Sequence, residues 1–342
     1  MIEGKEGSGM TLDEIARDLG VSKSTVSRAL SGKGRIGEKT RERIVAYAGQ
    51  QGRQLAQETE QRGRTGNLGL VFPADVYENS NSYFQDCMLG VCEVASLMDF
   101  NVLIATETAS DISGIQMLAE QKKVDGIILT RSMENDRAVR YLTDIRFPVG
   151  ITGQCDEKDV IQVDTDNEAA CEELVALLIG KGFRKFALVV EELSYRVNRS
   201  RYQGFNNALM KSGIPGEKQA YYVGALQVDL LDAIISDMVA KKVECVICGD
   251  DVVCTRLVSR LQAEGYRIPR DIAVASLYNS SNLNCFTPQI TAINISARKI
   301  GNTIGKQMIQ RLRGQDYETK VIMDHEILLR RSTDKIYTSV RV

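Results

Sequence analysis

A polar and basic run, SKSTVSR at 22–28, carries the side chains of this chain that are best suited to contact a nucleic acid. Hydroxyl and guanidinium groups form hydrogen bonds with phosphates and base edges, and a short helix that presents them fits the major groove of DNA. The alternative is a helix whose polar face is only solvated. The residues predicted to contact DNA are Thr11, Ser22, Lys23, Ser24, Thr25, Ser27, Arg28 and Thr40.

The charge of the chain is unevenly distributed, which supports this interpretation. Residues 1–66 contain 12 Lys and Arg against 9 Asp and Glu, a net charge of +3, whereas residues 67–342 contain 31 against 36, a net charge of −5. The positive end is suited to phosphates, but the excess is small. We therefore expect a homodimer that reads two half-sites, with a tetramer as the alternative.

A second group of aromatic and charged residues follows short apolar segments in the rest of the chain. Ligands bind at the carboxyl ends of strands in open α/β sheets, and an arginine and a carboxylate between aromatic walls suit a polyhydroxylated or charged small molecule. The alternative is that these are surface or helix-capping residues. The predicted ligand-binding residues are Tyr83, Phe84, Arg131, Arg201, Asp250 and Tyr278.

Other kinds of chemistry find little support in the sequence. The eight cysteines are dispersed, and Cys245 and Cys248 fall in a predicted buried strand whose alternating side chains would separate the two sulfurs. With His325 as the single histidine, a zinc site is not expected. The sequence contains no nucleophile-elbow, P-loop or dinucleotide-glycine motif, so we predict no enzymatic activity, no metal and no cofactor.

The polar run lies in a predicted three-helix module between Thr11 and Ala48. Thr11 begins a capping box at the first helix, and Gly20 supplies a turn because glycine accepts a positive φ angle. Ser22 is predicted to cap the second helix. The buried stripe of that helix is predicted to contain Val26, Ala29 and Leu30. A third amphipathic helix follows, and the arrangement is a helix-turn-helix.

The remainder of the chain has the pattern of an α/β protein. From residue 68, short apolar strands alternate with amphipathic helices, and the pattern occurs twice, which predicts two doubly wound parallel lobes around a cleft. We predict a helix-turn-helix domain at 1–50 with its core at 11–48, a polar linker at 51–66, a first lobe at 67–164 plus about 292–317, a second lobe at 165–291 plus about 318–333, and a tail at 334–342.

The run TLDEIARDLGVSKSTVSRALSG at 11–32 resembles the DNA-binding domain of the LacI/GalR family of bacterial transcription regulators, and KTRERI resembles the family's third helix. VDTDNEAA, RYQGF, CGDDVV and GYRIPRDIAVAS resemble the family's periplasmic-binding-protein-like core, so the resemblance reaches about residue 333. It implies binding to double-stranded operator DNA, a small-molecule effector such as a sugar or sugar derivative, and an effector-binding role for Arg201 in R-x-x-G. It also implies crossings between the lobes near Thr165, Thr291 and Tyr317.

The chain departs from the family pattern in two places. QGRQ at 51–54 lacks the family's hinge proline, and the usual wedge leucine falls at about Glu60, which weakens the expectation of a kinked operator centre. SLYN at 276–279 stands where the family often has Gly-(Phe/Tyr)-Asp-Asp, and Gly153 stands where some members have an aspartate. Both cleft changes weaken the prediction of a simple hexose site.

We therefore predict a cytoplasmic DNA-binding transcriptional regulator, most simply a repressor, whose operator affinity is controlled by a ligand in the interlobe cleft. The alternatives are a small-molecule sensor or solute-binding protein without DNA activity, and a regulator controlled by a partner protein. MIEGKEGSGM at 1–10 has no hydrophobic signal-peptide core, and no apolar run approaches the roughly 20 residues of a membrane span. We expect no association with a membrane.

Overall fold

The computed structural model describes residues 12–31, 36–49, 64–74 and 82–335. The chain divides into two compact units, Met1–Thr65 and Gly66–Val342. In the first unit, α1 covers Leu12–Leu19, α2 covers Lys23–Ser31, and α3 covers 38–49. Gly20 joins α1 to α2 with a φ of 66°, as the turn requires. The predicted helix-turn-helix is therefore present, while Thr11 and the linker at 51–63 lie outside the described residues.

The three helices enclose a small apolar core. Its buried members are Ile15, Ala16, Val26, Ala29 and Ile44. The prediction that Leu30 completes the buried stripe of α2 was wrong, since its side chain is 42% exposed. Successive residues of a helix are about 100° apart around the axis, so a core that is centred on Val26 and Ala29 leaves Leu30 at its margin.

The second unit begins with a six-stranded parallel sheet. Its strands are β1 Asn67–Pro73, β2 Asn101–Glu107, β3 Gly126–Leu129, β4 Val149–Thr152, β5 Ile161–Thr165 and β11 Lys320–Met323. Across this sheet, which belongs to the first lobe, the strands lie in the order β11-β5-β4-β3-β1-β2. Apolar residues line both faces of the sheet, which is why helices cover it on both sides. Its helices are α4 Ser82–Leu97, α5 Ser113–Glu120, α6 Arg137–Asp144 and α12 Ala297–Leu312.

A second six-stranded sheet forms the other lobe. Its strands are β6 Phe186–Val189, β7 Ala220–Tyr222, β8 Cys245–Cys248, β9 Ala273–Ser276, β10 Thr291–Asn294 and β12 Glu326–Leu328. They lie in the order β12-β10-β9-β8-β6-β7, and the sheet is parallel except for the antiparallel pair of β10 and β12. Its helices are α7 Asn167–Gly180, α8 Arg196–Lys211, α9 Val228–Ala240, α10 Asp251–Ala263 and α11 Ser281–Asn284, with short 3-10 turns at Gly216–Lys218 and Arg331–Thr333. The predicted fold, a helix-turn-helix followed along the chain by two doubly wound lobes, is confirmed.

The chain passes between the lobes after β5, after β10 and after β11. The predicted crossings near Thr291 and Tyr317 lie several residues too early, because β10 is hydrogen-bonded into the second sheet beside β9 and β11 into the first sheet beside β5. A strand must end before the chain can leave its sheet. β11 and β12 belong to different sheets and do not pair with each other.

Glycines fix two helices that carry residues of the cleft between the lobes. A Cβ atom at Gly90 of α4 would collide with the carbonyl oxygen of Arg298 in α12, and one at Gly301 of α12 would collide with that of Cys87. In the second lobe, Gly204 brings α8 equally close to the backbone of α7 at Glu168. Such close backbone packing positions the start of α4 and the middle of α8.

Five of the eight cysteines are buried free thiols, while Cys92 and Cys155 are half-buried and Cys285 is exposed. Cys245 and Cys248 are fully buried in β8 and belong to apolar clusters on opposite faces of the sheet, as the strand alternation predicted. Among the described residues, no group of three His, Cys, Asp or Glu side chains could hold a metal ion, and none of the helices is long and apolar enough to cross a membrane. His325, at the passage from β11 to β12, lies 3.0 Å from the carboxylate of Glu173 on α7.

Candidate functional site

The outer face of α2 presents the predicted DNA-contacting side chains. Lys23, Ser24, Ser27 and Arg28 are exposed, while Thr25 is half-buried. Ser22 caps the helix as predicted, since its hydroxyl accepts the N–H of Thr25 at 3.2 Å. The Ser22 hydroxyl also lies 2.9 Å from that of Ser24 and 2.7 Å from that of Thr25. The helix N-terminus thus holds three hydroxyls together beside exposed cations, an arrangement suited to phosphate oxygens.

The third helix holds the rest of the helix-turn-helix in place. The guanidinium of Arg43 donates to the carbonyl oxygen of Leu19 at 3.1 Å, and the Tyr47 hydroxyl donates to the carboxylate of Asp18 at 2.8 Å. Both acceptors belong to the last turn of α1, so α3 fixes the point where the chain turns into α2. Thr40, another predicted contact, is half-buried near the start of α3. Thr11 lies outside the described residues.

The second unit contains a cleft between its two lobes of about 1040 Å³, including space open to solvent. All six predicted ligand-binding residues line it: Tyr83, Phe84, Arg131, Arg201, Asp250 and Tyr278. Each lobe contributes three of them. Parallel strands end at the same edge of a sheet, so residues that follow different strands meet there. Arg201 is an exception, because it lies in α8 and is brought into the cleft by the packing of α8 against α7.

Arg201 is the buried cation of the cleft. Only 8% of it is exposed, its Nη1 donates to Oδ1 of Asn198 at 3.2 Å, and its Nε has no hydrogen-bond partner among the described residues. Burial lowers the pKa of its guanidinium, and the nearby carboxylates of Asp250 and Asp164 act in the opposite direction. A buried N–H without a partner is costly, so the Nε–H marks a place where a ligand oxygen would be stabilised.

Asp164 is the acidic counterpart of Arg201. It is the last but one residue of β5, and burial raises its pKa to about 6 although its carboxylate accepts the N–H of Thr165 at 2.8 Å and the side-chain amide of Asn167 at 3.0 Å. Thr165, beside it, has a buried hydroxyl without a hydrogen-bond partner among the described residues. The floor of the cleft therefore combines a buried cation, a half-buried carboxyl group and a buried hydroxyl that all retain hydrogen-bonding capacity.

Aromatic rings form the walls. The rings of Tyr83 and Tyr278, one from each lobe, meet edge to face with centroids 5.7 Å apart. The guanidinium of Arg131 lies 5.5 Å from the ring centroid of Phe84 and 4.2 Å from that of Tyr195. Arg131 is thus placed between aromatic faces of the two lobes.

Asp250 fits both interpretations that the sequence left open. Its carboxylate accepts the N–H of Val253 at 2.9 Å and so caps α10, and the residue also lines the cleft. Three other residues near the predicted site make different contacts. Arg199 is paired with Glu134, Asp251 accepts a hydrogen bond from Ser82 at 3.1 Å, and Asn279 accepts one from Arg330 at 2.9 Å.

Among the cleft-lining residues that sequence reasoning missed are four with ionisable or polar side chains, namely Asp164, Glu191, Tyr195 and Asn198. The rule that residues after strands form the site could have found Asp164 and Glu191, which lie at or just after the ends of β5 and β6. Tyr195 and Asn198 carry no such signal, because they lie in the approach to α8 and its first turn.

Comparison with known proteins adds two family matches. Residues 11–51 match the model for bacterial regulatory proteins of the lacI family, and residues 175–333 match the periplasmic-binding-protein-like domain. Among curated relatives, the transcriptional regulator MalR of Staphylococcus xylosus is 27% identical over 90% of this chain and 93% of its own length. The regulator CelR of Thermobifida fusca is 26% identical over 94% of this chain and 98% of its own length.

Solved structures show the same fold. A complex of the regulator CelR with cellobiose superimposes with a TM-score of 0.69 at 23% identity, covering 94% of this chain and 99% of the other. The lac repressor dimer bound to operator and the anti-inducer ONPF superimposes with a TM-score of 0.70 at 18% identity, covering 95% and 99%. These relatives are transcriptional regulators and not enzymes.

Proposed function

The chain belongs to the LacI family of bacterial regulatory proteins, and we propose that it is a transcriptional regulator, most simply a repressor, that binds operator DNA through α2 and responds to a small ligand in its interlobe cleft. The exposed polar face of α2 carries the first half of this proposal. Relatives that match over nine-tenths or more of this chain are regulators of the helix-turn-helix type, so a sensor without DNA activity is not favoured.

Lys23, Ser24, Ser27 and Arg28 are the exposed side chains of α2 that we assign to the DNA. Ser22, Thr25, Thr40 and Thr11 are the other residues that we predict to contact it. Arg28 is exposed, and a guanidinium group can make a bidentate contact with guanine. The positive segment 1–66 of one copy has a net charge of only +3, so two copies that read two half-sites supply the affinity. We therefore propose a homodimer, acting in the cytoplasm where chromosomal DNA is found.

The ligand that the cleft favours is uncharged and polyhydroxylated. The lining contains two guanidinium groups, from Arg131 and Arg201, and three carboxyl groups, from Asp164, Glu191 and Asp250. An anionic effector would meet a lining with more acidic than basic groups, whereas hydroxyls can both donate to carboxylates and accept from guanidinium. Asp164 and Glu191 supply cleft carboxylates although this chain has no aspartate at position 153 or at 276–279, where members of the family often have one. A carbohydrate, as in the cellobiose complex of CelR, is the best candidate.

A footprinting experiment tests the DNA-binding half. The full-length protein is incubated with DNA from upstream of its own gene, and we expect two protected half-sites. Arg28→Ala should weaken binding about five- to 150-fold, the effect of losing one bidentate base contact. Arg267→Ala, which removes an exposed cation of the second lobe paired with Asp271, is the control and should bind like the wild type. No protected site under any ligand condition would contradict the proposal.

A thermal-shift experiment tests the ligand half. Cellobiose and other neutral sugars are compared with glucose 6-phosphate on the full-length protein, and we expect a higher melting temperature with a neutral sugar only. A bound ligand stabilises the folded state in proportion to the logarithm of its concentration above its Kd. Stabilisation by the phosphate alone would contradict the ligand class.

A further inference from the structure

Three segments join the lobes across one side of the cleft mouth, two from the first lobe and one from the second, and we call them the rim latch. The first lobe contributes residues 131–134 and Asp156, and the second lobe contributes residues 194–199. Met133 and Tyr195 form an antiparallel β-bridge across the gap. The N–H of Glu134 donates to the carbonyl oxygen of Ser194 at 3.0 Å, and the N–H of Arg196 donates to that of Ser132 at 3.2 Å. Backbone pairing of this kind is possible only while the two lobes are close together.

Side chains reinforce the bridge. Nε of Arg196 donates to the carbonyl oxygen of Met133 at 3.2 Å, and its two terminal nitrogens bind both carboxylate oxygens of Asp156, with Nη1 and Oδ1 3.2 Å apart. Arg199 forms an ion pair with Glu134. Each of these contacts joins one lobe to the other, and every partner is a residue of the chain itself.

The charges of the second lobe explain why closing is favourable. Arg196 and Arg199 lie in the first turn of α8, which contains no acidic residue. The positive end of a helix dipole disfavours cations there and favours anions. Asp156 and Glu134, both from the first lobe, bring carboxylates to this helix end. Separating the lobes would therefore leave two arginines at the positive end of a helix without their carboxylate partners.

We propose that the rim latch sets the fraction of the protein whose cleft is shut, through bonds within the chain and independently of which ligand or DNA sequence it binds. A ligand enters only when the latch opens, and it is held when the latch closes again. The contact of Ser82 with Asp251 and the edge-to-face pair of Tyr83 with Tyr278 also join the lobes. Neither of these two contacts is an ion pair, whereas the rim latch contains two, Arg196 with Asp156 and Arg199 with Glu134.

Hydrogen exchange of two backbone amides tests the proposal. The amides of Glu134 and Arg196 lie in loops or at a helix start, and the bridge between the lobes is what protects them. The double variant Glu134→Gln, Asp156→Asn removes both ion pairs and leaves the backbone donors in place. We expect exchange at both amides of the full-length protein to become about three- to tenfold faster, the size expected for losing two largely exposed ion pairs.

Glu93→Gln is the matched control. Glu93 binds Arg298 through both oxygens, but both residues belong to helices of the first lobe, so the rim amides should exchange as in the wild type. Small-angle X-ray scattering should give a larger radius of gyration for the double variant than for the wild type and the control. The proposal is overturned if wild-type Glu134 and Arg196 exchange like an unstructured peptide, if the double variant exchanges like the wild type, or if its radius of gyration is unchanged.

Discussion

The helical unit and the two-lobed unit use arginine in opposite ways. Arg28 of α2 is exposed, whereas Arg201 of α8 is 8% exposed and lies among carboxylates. An exposed cation keeps its hydration until a large polyanion arrives and displaces counterions. A buried cation has lost its hydration during folding, so its remaining hydrogen-bonding capacity is directed at one small space. The first arrangement suits a phosphate backbone, and the second suits selection of a small molecule.

The two units also differ in how many apolar residues support them. The buried core of the helical unit consists of five residues, while each face of both sheets in the second unit is covered by helices. Small domains bury a smaller share of their surface and are only marginally stable. We therefore expect single side-chain interactions to matter more for folding in the helical unit, and buried charges to matter more in the second unit.

Replacing Arg201 should have the largest effect on stability. Arg201→Met keeps a long side chain but leaves the carboxylates of Asp164 and Asp250 without the buried cation. Breaking such a buried group of charges costs about 3 kcal/mol. We expect the two-lobed unit to lose this much in its free energy of unfolding, measured by urea titration of the full-length protein, and to lose the melting-temperature increase caused by a neutral sugar.

Arg298→Met is the control for that measurement. Arg298 pairs with Glu93 at the surface, where water screens an ion pair, so we expect its loss to change the free energy of unfolding far less than the loss of Arg201. If Arg201→Met unfolds at the same urea concentration as this control, the contrast between exposed and buried arginines is wrong.

The positions of the cleft residues could be predicted from sequence because they follow from one topological rule. Tyr83, Arg131, Asp250 and Tyr278 all follow strands of parallel sheets, and such strands end at a common edge. Arg201 was predicted from the R-x-x-G pattern alone. What local pattern could not show is where one lobe lies relative to the other. The contact of Arg131 with Tyr195 and the whole rim latch depend on that placement.

Removing a helix cap, a change of about 1 kcal/mol, should affect amide exchange in the helical unit more than in the two-lobed unit. Ser22 caps α2 and Asp166 caps α7, each by accepting the N–H of the residue three positions later, at 3.2 and 2.9 Å. Loss of a cap costs about 1 kcal/mol in either helix. Ser22→Ala should speed amide exchange in α2 about fivefold, because little other packing holds that helix. Asp166→Ala should leave exchange in α7 nearly unchanged, because α7 has six buried residues.

Exchange is measured by mass spectrometry on peptides from 23–31 and 167–180 of the full-length variants. Equal acceleration in both helices would show that the size of the core does not control local opening here. The same comparison explains an error of the sequence analysis. Leu30 follows the helical spacing of a buried residue, but burial also requires a partner surface, and the three-helix core is too small to provide one for it.

The smallest effect that we predict concerns a carboxyl group in the two-lobed unit. Burial, with a contribution from the neighbouring Asp136, raises the pKa of Glu107 at the end of β2 to about 8, while Arg131 acts in the opposite direction. A raised pKa means that folding favours the protonated form. Its contribution to stability is therefore full below the unfolded pKa of about 4.5 and is lost as pH rises towards 8.

The Glu107→Gln variant remains neutral and should not lose this contribution. Each pKa unit corresponds to at most about 1.4 kcal/mol, and partial exposure lowers this, so we expect the wild type to lose about 0.5 kcal/mol more per pH unit than Glu107→Gln between pH 6.5 and 8. That window lies above the pKa of about 6 of Asp164, so titration of the cleft floor contributes little to it. The free energy of unfolding is measured by urea titration at several pH values. If it depends on pH in the same way for both proteins, Glu107 is already ionised in the folded protein. Burial of charge then does not extend from the cleft to the end of β2.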